Sequence, residues 1–136
     1  MRLLLDTNII VDVAIERAPF CNDAITLFEI ISDEHFTALY TATTITDIYY
    51  LIQKQKGKAT ALTYIKKILS VYEIANVNKQ ILIRAANNKF SDFEDAVQYE
   101  TAESSQIDII ITRNKKDFKY SKIKVLTPKE FIKQYK

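Results

Sequence analysis

The chain of 136 residues has one glycine, one histidine and one cysteine, and each scarcity removes a class of chemistry. Gly57 lies in the polar stretch Gln53-Lys54-Gln55-Lys56-Gly57-Lys58, which reads as a turn between helices. Glycine-rich phosphate loops and dinucleotide fingerprints need several glycines for close backbone approach, so both are excluded. With only His35 and Cys21 of their kinds, zinc sites of the Cys/His type and Ser-His-Asp catalysis lack parts. A lone cysteine forms no internal disulfide, which makes a reducing cytoplasm the expected location. Long apolar runs are missing too. Stretches such as Ile9-Ile10-Val11 and Ile109-Ile110-Ile111 are too short to span a membrane, and the opening residues lack the basic leader and cleavage site of a signal peptide. Any chemistry must therefore run on Asp, Glu, Asn, Ser, Thr, Lys, Arg and Tyr.

What is present fits an ordinary globular protein: 48% of residues are apolar and 26% charged, enough for one domain over 1–136 with its own core. The net charge of +2 conceals a block pattern. Residues 1–50 carry a net −6, 51–89 a net +7, 90–112 a net −6 and 113–136 a net +7. Acidic blocks alternating with basic ones suit a polyanion gripped by lysines beside a metal-loaded acidic site. Each lysine taken singly reads first as a solvated helix face.

Periodicity predicts alternating strands and helices. The run Arg2-Leu3-Leu4-Leu5 is a buried strand that stops at Asp6-Thr7-Asn8, followed by a helix over 9–17. A second helix after Pro19 carries Ala24, Leu27, Phe28 and Ile31 at helical spacing. Further strands are expected over 36–40, 71–77, 107–111 and 124–126, with helices over 44–53, 59–69, 78–86 and 91–105. Thr127-Pro128, with Glu130 behind it, launches a terminal helix. The alternation implies an α/β domain, three layers with a central parallel sheet between helices. Ligands of such sheets bind at the carboxyl ends of the strands, where Asp6 and Thr112-Arg113-Asn114 fall.

Asp6, at the end of the first strand, is placed for chemistry, although Asp is also a favoured N-cap. In Ser91-Asp92-Phe93-Glu94-Asp95-Ala96, Ser91 and Glu94 have the spacing of a capping box, which engages Glu94 with the helix start. Asp92 and Asp95, three apart, share one side of the first turn, and Asp95 precedes the apolar stripe that faces the sheet. Helix-dipole stabilisation is the structural alternative for both. Asp47 is either a site acid or the N3 acid behind a Thr44 cap. Asn114 and Asp117 are residues of the kind that build turns.

Taken together the acids make a stronger case. Two carboxylates about 4 Å apart repel by about 4 kcal/mol at an effective dielectric near 20, so a converging group is costly unless a cation joins it. Oxygen ligands without His or Cys select hard ions, Mg²⁺ or Mn²⁺.

With these residues in view the sequence resembles a PIN domain along its whole length. The resemblance rests on Leu5-Asp6-Thr7-Asn8-Ile9-Ile10, on Asp47 in its Thr-rich setting, on Asp92-Phe93-Glu94-Asp95-Ala96, on Thr112-Arg113-Asn114-Lys115-Lys116-Asp117-Phe118 and on Val125-Leu126-Thr127-Pro128-Lys129-Glu130-Phe131. It implies a Mg²⁺- or Mn²⁺-dependent ribonuclease similar to the VapC-like toxins of toxin-antitoxin pairs, with an antitoxin partner and a homodimer. Asp6, Asp47 and Asp95 match the first three acids, and Thr112 the hydroxyl residue near the site. The second acid is often Glu in the family, and the fourth position falls on neutral Asn114, with Asp117 or Asp92 as substitutes for a metal. Asn8, Thr112, Arg113 and Lys115 are the expected substrate-binding residues. The rival reading is a PIN fold that binds RNA or a protein with little or no cutting. A haloacid-dehalogenase-like phosphatase would need an acid at the position of Asn8, and a receiver domain an acidic pair at the end of strand one.

Overall fold

The computed structural model describes residues 1–33 and 35–136. Strand β1 (Arg2–Leu5) leads into helix α1 (Thr7–Ala14), followed by α2 (Cys21–Ile31), β2 (Thr37–Thr41), α3 (Ala42–Lys56), α4 (Lys58–Val71), β3 (Glu73–Ala75), α5 (Lys79–Asn87) and α6 (Phe93–Ser104). After β4 (Ile109–Ile111) come a short 3₁₀ turn (Lys115–Phe118), β5 (Lys124–Leu126) and α7 (Pro128–Tyr135). All the strand pairings are parallel, in the order β3-β2-β1-β4-β5.

The unbroken apolar run of β1 has a physical reason. Successive side chains point to opposite faces of the sheet, and both faces are covered. Leu3 and Leu5 join Ile109 and Ile111 in a core beneath helices α1–α4 and α7, while Leu4 joins Leu39, Ile110, Tyr99 of α6 and Phe118 on the other face. Leu3, Leu4 and Leu5 are fully buried, each contributing about 2 kcal/mol by leaving water. This is the expected three-layer α/β/α arrangement. Gly57, between α3 and α4, has φ +86°, which side-chain-bearing residues rarely adopt, so glycine is required there by backbone conformation.

Several boundaries differ from expectation. Helix α1 stops at Ala14, and the chain folds back so that the Arg17 amide donates to the Asp12 carbonyl. Helix α4 runs on to Val71 and leaves β3 only three residues. Two helix starts move with greater consequence. Thr41, not Thr44, caps α3, its hydroxyl accepting from the Thr44 amide at 3.2 Å. Asp92, not Ser91, caps α6, accepting from the Asp95 amide at 3.3 Å. Asp47 is therefore not an N3 acid, and Glu94 is not bound into a capping box with Ser91. The terminal helix has its capping box as expected, between Thr127 and Glu130.

The chain runs outward from β1 to β3, then crosses back to β4 and β5, so the order reverses between β1 and β4. Such a switch point opens a crevice at the carboxyl ends of the two strands. Leu5 pairs with Ile111, and the Asp6 amide donates to the Ile111 carbonyl at 3.0 Å. Asp6 and Thr112 are thereby set side by side.

Candidate active site

Asp6 is both an N-cap and a site residue. Its Oδ1 accepts from the Thr7 amide at 2.7 Å and from Gln98 Nε2 at 2.9 Å, while Oδ2 accepts from the Thr112 hydroxyl at 2.7 Å. Three donors from α1, α6 and the end of β4 fix the carboxylate plane. Thr112 is fully buried and also accepts from the Asn114 amide at 3.2 Å, which ties the loop after β4 to Asp6.

Around Asp6 lies a pocket of about 340 Å³. Six carboxylates line it: Asp6, Asp47, Asp92, Glu94, Asp95 and Asp117. Asn8, Gln98, Asn114 and Tyr50 complete much of the wall. A roomier cleft of about 460 Å³, beside Ile10, Val13, Ile25 and Phe28, is mainly apolar and gathers no comparable set of acids.

Electrostatics sets the pocket apart as much as shape does. The carboxyl of Asp95 is pushed up to about 8, first by burial and then by the charges of Asp6 and Asp92, with a hydrogen bond to Asp92 and the charge of Asp117 adding to the effect. Glu94 is raised chiefly by Asp47, then by burial, Asp92 and Asp6, and Asp47 by burial. A cluster of acids raised by burial and by one another inside a cleft is the pattern of a functional site. The donor set is all oxygen, which suits a hard divalent cation. Among the described residues no group of three or more His, Cys, Asp or Glu side chains stands close enough to hold a metal ion as the side chains lie; the acids line an open pocket instead.

A PIN domain family model matches residues 2–116. The chain belongs to the PIN domain family. Ribonuclease VapC1 of Aquifex aeolicus (strain VF5) is 31% identical over 139 residues, covering 98% of this chain and 95% of that relative. A chain of a toxin-antitoxin complex from Klebsiella pneumoniae superposes with a TM-score of 0.71 at 24% identity, covering 93% of this chain and 97% of its own. VapBC-1 from nontypeable Haemophilus influenzae gives a TM-score of 0.70 at 16% identity, over 95% and 99% of the two chains. These solved structures share the fold.

In this PIN domain Asp6, Asn8, Asp47, Asp92, Asp95, Asn114 and Asp117 all reach the one pocket, and Thr112 lies directly behind it. Arg113 and Lys115, expected to hold substrate, do not line it. Arg113 Nε is 2.9 Å from Asp12 Oδ2, and its guanidinium carbon lies 4.0 Å from the centre of the Phe20 ring, beside a separate cleft. Lys115 Nζ reaches Glu130 Oε2 at 3.1 Å. Sequence reading also passed over Glu94, Gln98, Tyr50 and Asp12. Glu94 was hidden by the apparent capping box. Gln98, four residues after Glu94 on α6, carried a signal in its helical spacing, since positions 94 and 98 share a face with the first turn.

Proposed function

We propose that this PIN domain is a Mg²⁺- or Mn²⁺-dependent endoribonuclease that hydrolyses RNA phosphodiester bonds. The observation that carries the reading is the convergence of six carboxylates on one pocket at the switch point, where burial and then the acidic neighbours push the Asp95 carboxyl up to about 8. Similarity to a relative named as a ribonuclease supports it.

Asp6 and Asp95 are the residues to hold the ion, with Asp47 and Glu94 facing the same space to hold it or orient water. When bound, a divalent ion lowers the pKa of a coordinated water and neutralises charge developing on the phosphorus oxygens. Thr112 and Gln98 keep the Asp6 carboxylate aimed into the pocket through their hydrogen bonds. Asn114 stands at the fourth acidic position of the family, and its neutrality favours the binding-only reading. Asp117 and Glu94, which line the same pocket, supply the negative charge that Asn114 lacks, and they favour catalysis. Lysines of the basic blocks, rather than Arg113, are left to hold the RNA backbone. We extend the reading to the toxin of a toxin-antitoxin pair, with a protein antitoxin as partner, a homodimeric assembly and a cytoplasmic site of action.

The test is cleavage of RNA by purified protein with Mg²⁺ or Mn²⁺, alongside calorimetric titration with Mn²⁺. Cleavage is expected to vanish in EDTA and in Asp6→Asn and Asp95→Asn. Undiminished cleavage in both variants would sink the proposal; Mn²⁺ binding without cleavage by the unaltered protein would favour the binding-only module.

A further inference from the structure

Among the described residues Asp12 is the acid with least exposure, 1%, and it has no place in the carboxylate pocket. Asn8 and Asp12 stand four apart on α1 and so share a face. Asn8 lines the pocket, and Asp12 lies one turn further along. No in-line hydrogen bond reaches the Asp12 carboxylate, and two guanidinium groups offset its charge. Arg113 Nε approaches Oδ2 to 2.9 Å, and an Arg17 nitrogen approaches Oδ1 to 3.3 Å. That same Arg17 nitrogen donates to Asn8 Oδ1 at 3.3 Å. Arg113 is clamped on its other side by the Phe20 ring and directly follows Thr112, the donor to Asp6.

A buried ion pair is a poor device for stability, because desolvation offsets most of the attraction and apolar side chains of equal volume serve as well. Its contribution here is geometric. Both arginines are fixed by one carboxylate, and each leads to a different wall of the pocket.

We propose that Asp12 is a positioning residue for the carboxylate pocket. By holding Arg17 it sets Asn8 on one wall; by holding Arg113 it sets residues 112–114 on the other, and through Thr112 the carboxylate of Asp6. Asp12 touches neither substrate nor ion. The inference rests on the nuclease reading of the pocket, and it assigns Arg113 to the scaffold, where it shares the Asp12 carboxylate with Arg17.

The experiment uses the full chain and compares Mn²⁺ affinity by calorimetry, RNA cleavage kinetics, Tm, and the amide chemical shifts of Thr112 and Asn114 in metal-free protein. Asp12→Asn, nearly isosteric, is expected to weaken Mn²⁺ binding and lower kcat by about 10-fold or more, the range seen for residues that support metal ligands. KM for RNA should change little, and both amide shifts should move. Arg113→Lys keeps the charge but loses the planar fork and the stack on Phe20, and it should reproduce these losses. Phe131→Leu, a core substitution in α7, is the stability control, lowering Tm with Mn²⁺ affinity and kcat unchanged. An Asp12→Asn protein with lowered Tm but wild-type Mn²⁺ affinity and kcat overturns the proposal. Should that variant fail to fold, Arg113→Lys and Arg17→Gln decide, and wild-type behaviour in both overturns it. If the unaltered protein binds Mn²⁺ and cuts no RNA, the nuclease reading fails by itself, and Mn²⁺ affinity across the variants still tests the positioning role.

Discussion

Helix α1 begins at one acidic centre and passes through another. Asp6, at its N-cap, opens onto a pocket where carboxylates face carboxylates, whereas Asp12 is enclosed and faces two arginines. Burial raises the pKa of both Asp95 and Asp12, but their neighbours act in opposite directions. Around Asp95 the charges of Asp6, Asp92 and Asp117 push further the same way; around Asp12 first Arg113 and then Arg17 pull back. The Asp12 centre finds its counter-charges within the chain. The pocket does not, and its acids must hold protons or take a positive group from outside. Like charges held together by a rigid fold are the mark of a site that binds, and a charge enclosed among opposite ones the mark of one that supports.

The difference is broken most sharply by neutralising one acid on each side and reading activity and stability together. Asp6→Asn or Asp95→Asn should reduce cleavage by more than about 100-fold, beyond the losses typical of supporting residues around a metal, with the fold retained in circular dichroism. Asp12→Ala should cost stability in addition to the activity lost through positioning, because it leaves two arginines without their carboxylate. Removing one partner of a buried pair typically costs about 3–5 kcal/mol, and the low end is expected here because Arg17 and Arg113 retain some access to water. Urea unfolding at neutral pH measures it. A stability loss in Asp95→Asn equal to that in Asp12→Ala would erase the distinction between the two centres.

A pH experiment sharpens the same contrast. Asp95 takes up a proton near pH 8 in the folded metal-free protein, while in the unfolded chain its carboxyl titrates near the ordinary value of 3.8. Between those limits the folded state binds the extra proton, so stability is greatest at the acid end and declines as pH rises towards about 8. Asp95→Asn should flatten that decline in urea unfolding with EDTA, and saturating Mn²⁺ should reverse it for the unaltered protein by binding the folded state alone. Proton release on Mn²⁺ binding, seen as buffer-dependent calorimetric heat at pH 7, checks the same sign.

The strands, the carboxyl strand ends at Asp6 and Thr112 and the acids Asp6, Asp47 and Asp95 that share one pocket were legible because each depends on local pattern, whereas the strand order was not. The apolar run in Arg2-Leu3-Leu4-Leu5 is too short for a helix and ends in a polar cluster, the pattern of a buried strand whose carboxyl end lies where α/β sheets bind ligands. Helix starts were less legible, since Ser91 and Asp92 are equally good caps, as are Thr41 and Thr44, and the choice depends on where the preceding chain enters. That slip of one residue assigned Glu94 to a cap when it faces the pocket. Asp12 was illegible for a different reason. A single acid in a helix reads as solvated unless its partner is visible, and Arg113 is about a hundred residues away in sequence. Arg113, expected beside the substrate, turns to Asp12 and does not line the pocket, because nearness in sequence to Thr112 says nothing about which way a long side chain turns.

Lys115 isolates what burial contributes. Its ammonium approaches Glu130 to 3.1 Å, much as Arg113 approaches Asp12 to 2.9 Å, yet Lys115 and Glu130 are each 44% exposed where Arg113 and Asp12 are 16% and 1%. Water screens the first pair and permits either side chain to leave it with little loss, so Lys115→Ala should change stability by no more than about 0.5 kcal/mol. Glu130 keeps its hydrogen bond from the Thr127 amide in the capping box, so the end of α7 should remain intact. Cleavage kinetics of the same variant then report on substrate alone. A rise in KM that grows steeper as salt is lowered would return Lys115 to the RNA path through its mobility, whereas unchanged KM would leave it a surface charge beside a pocket that draws its cation from elsewhere.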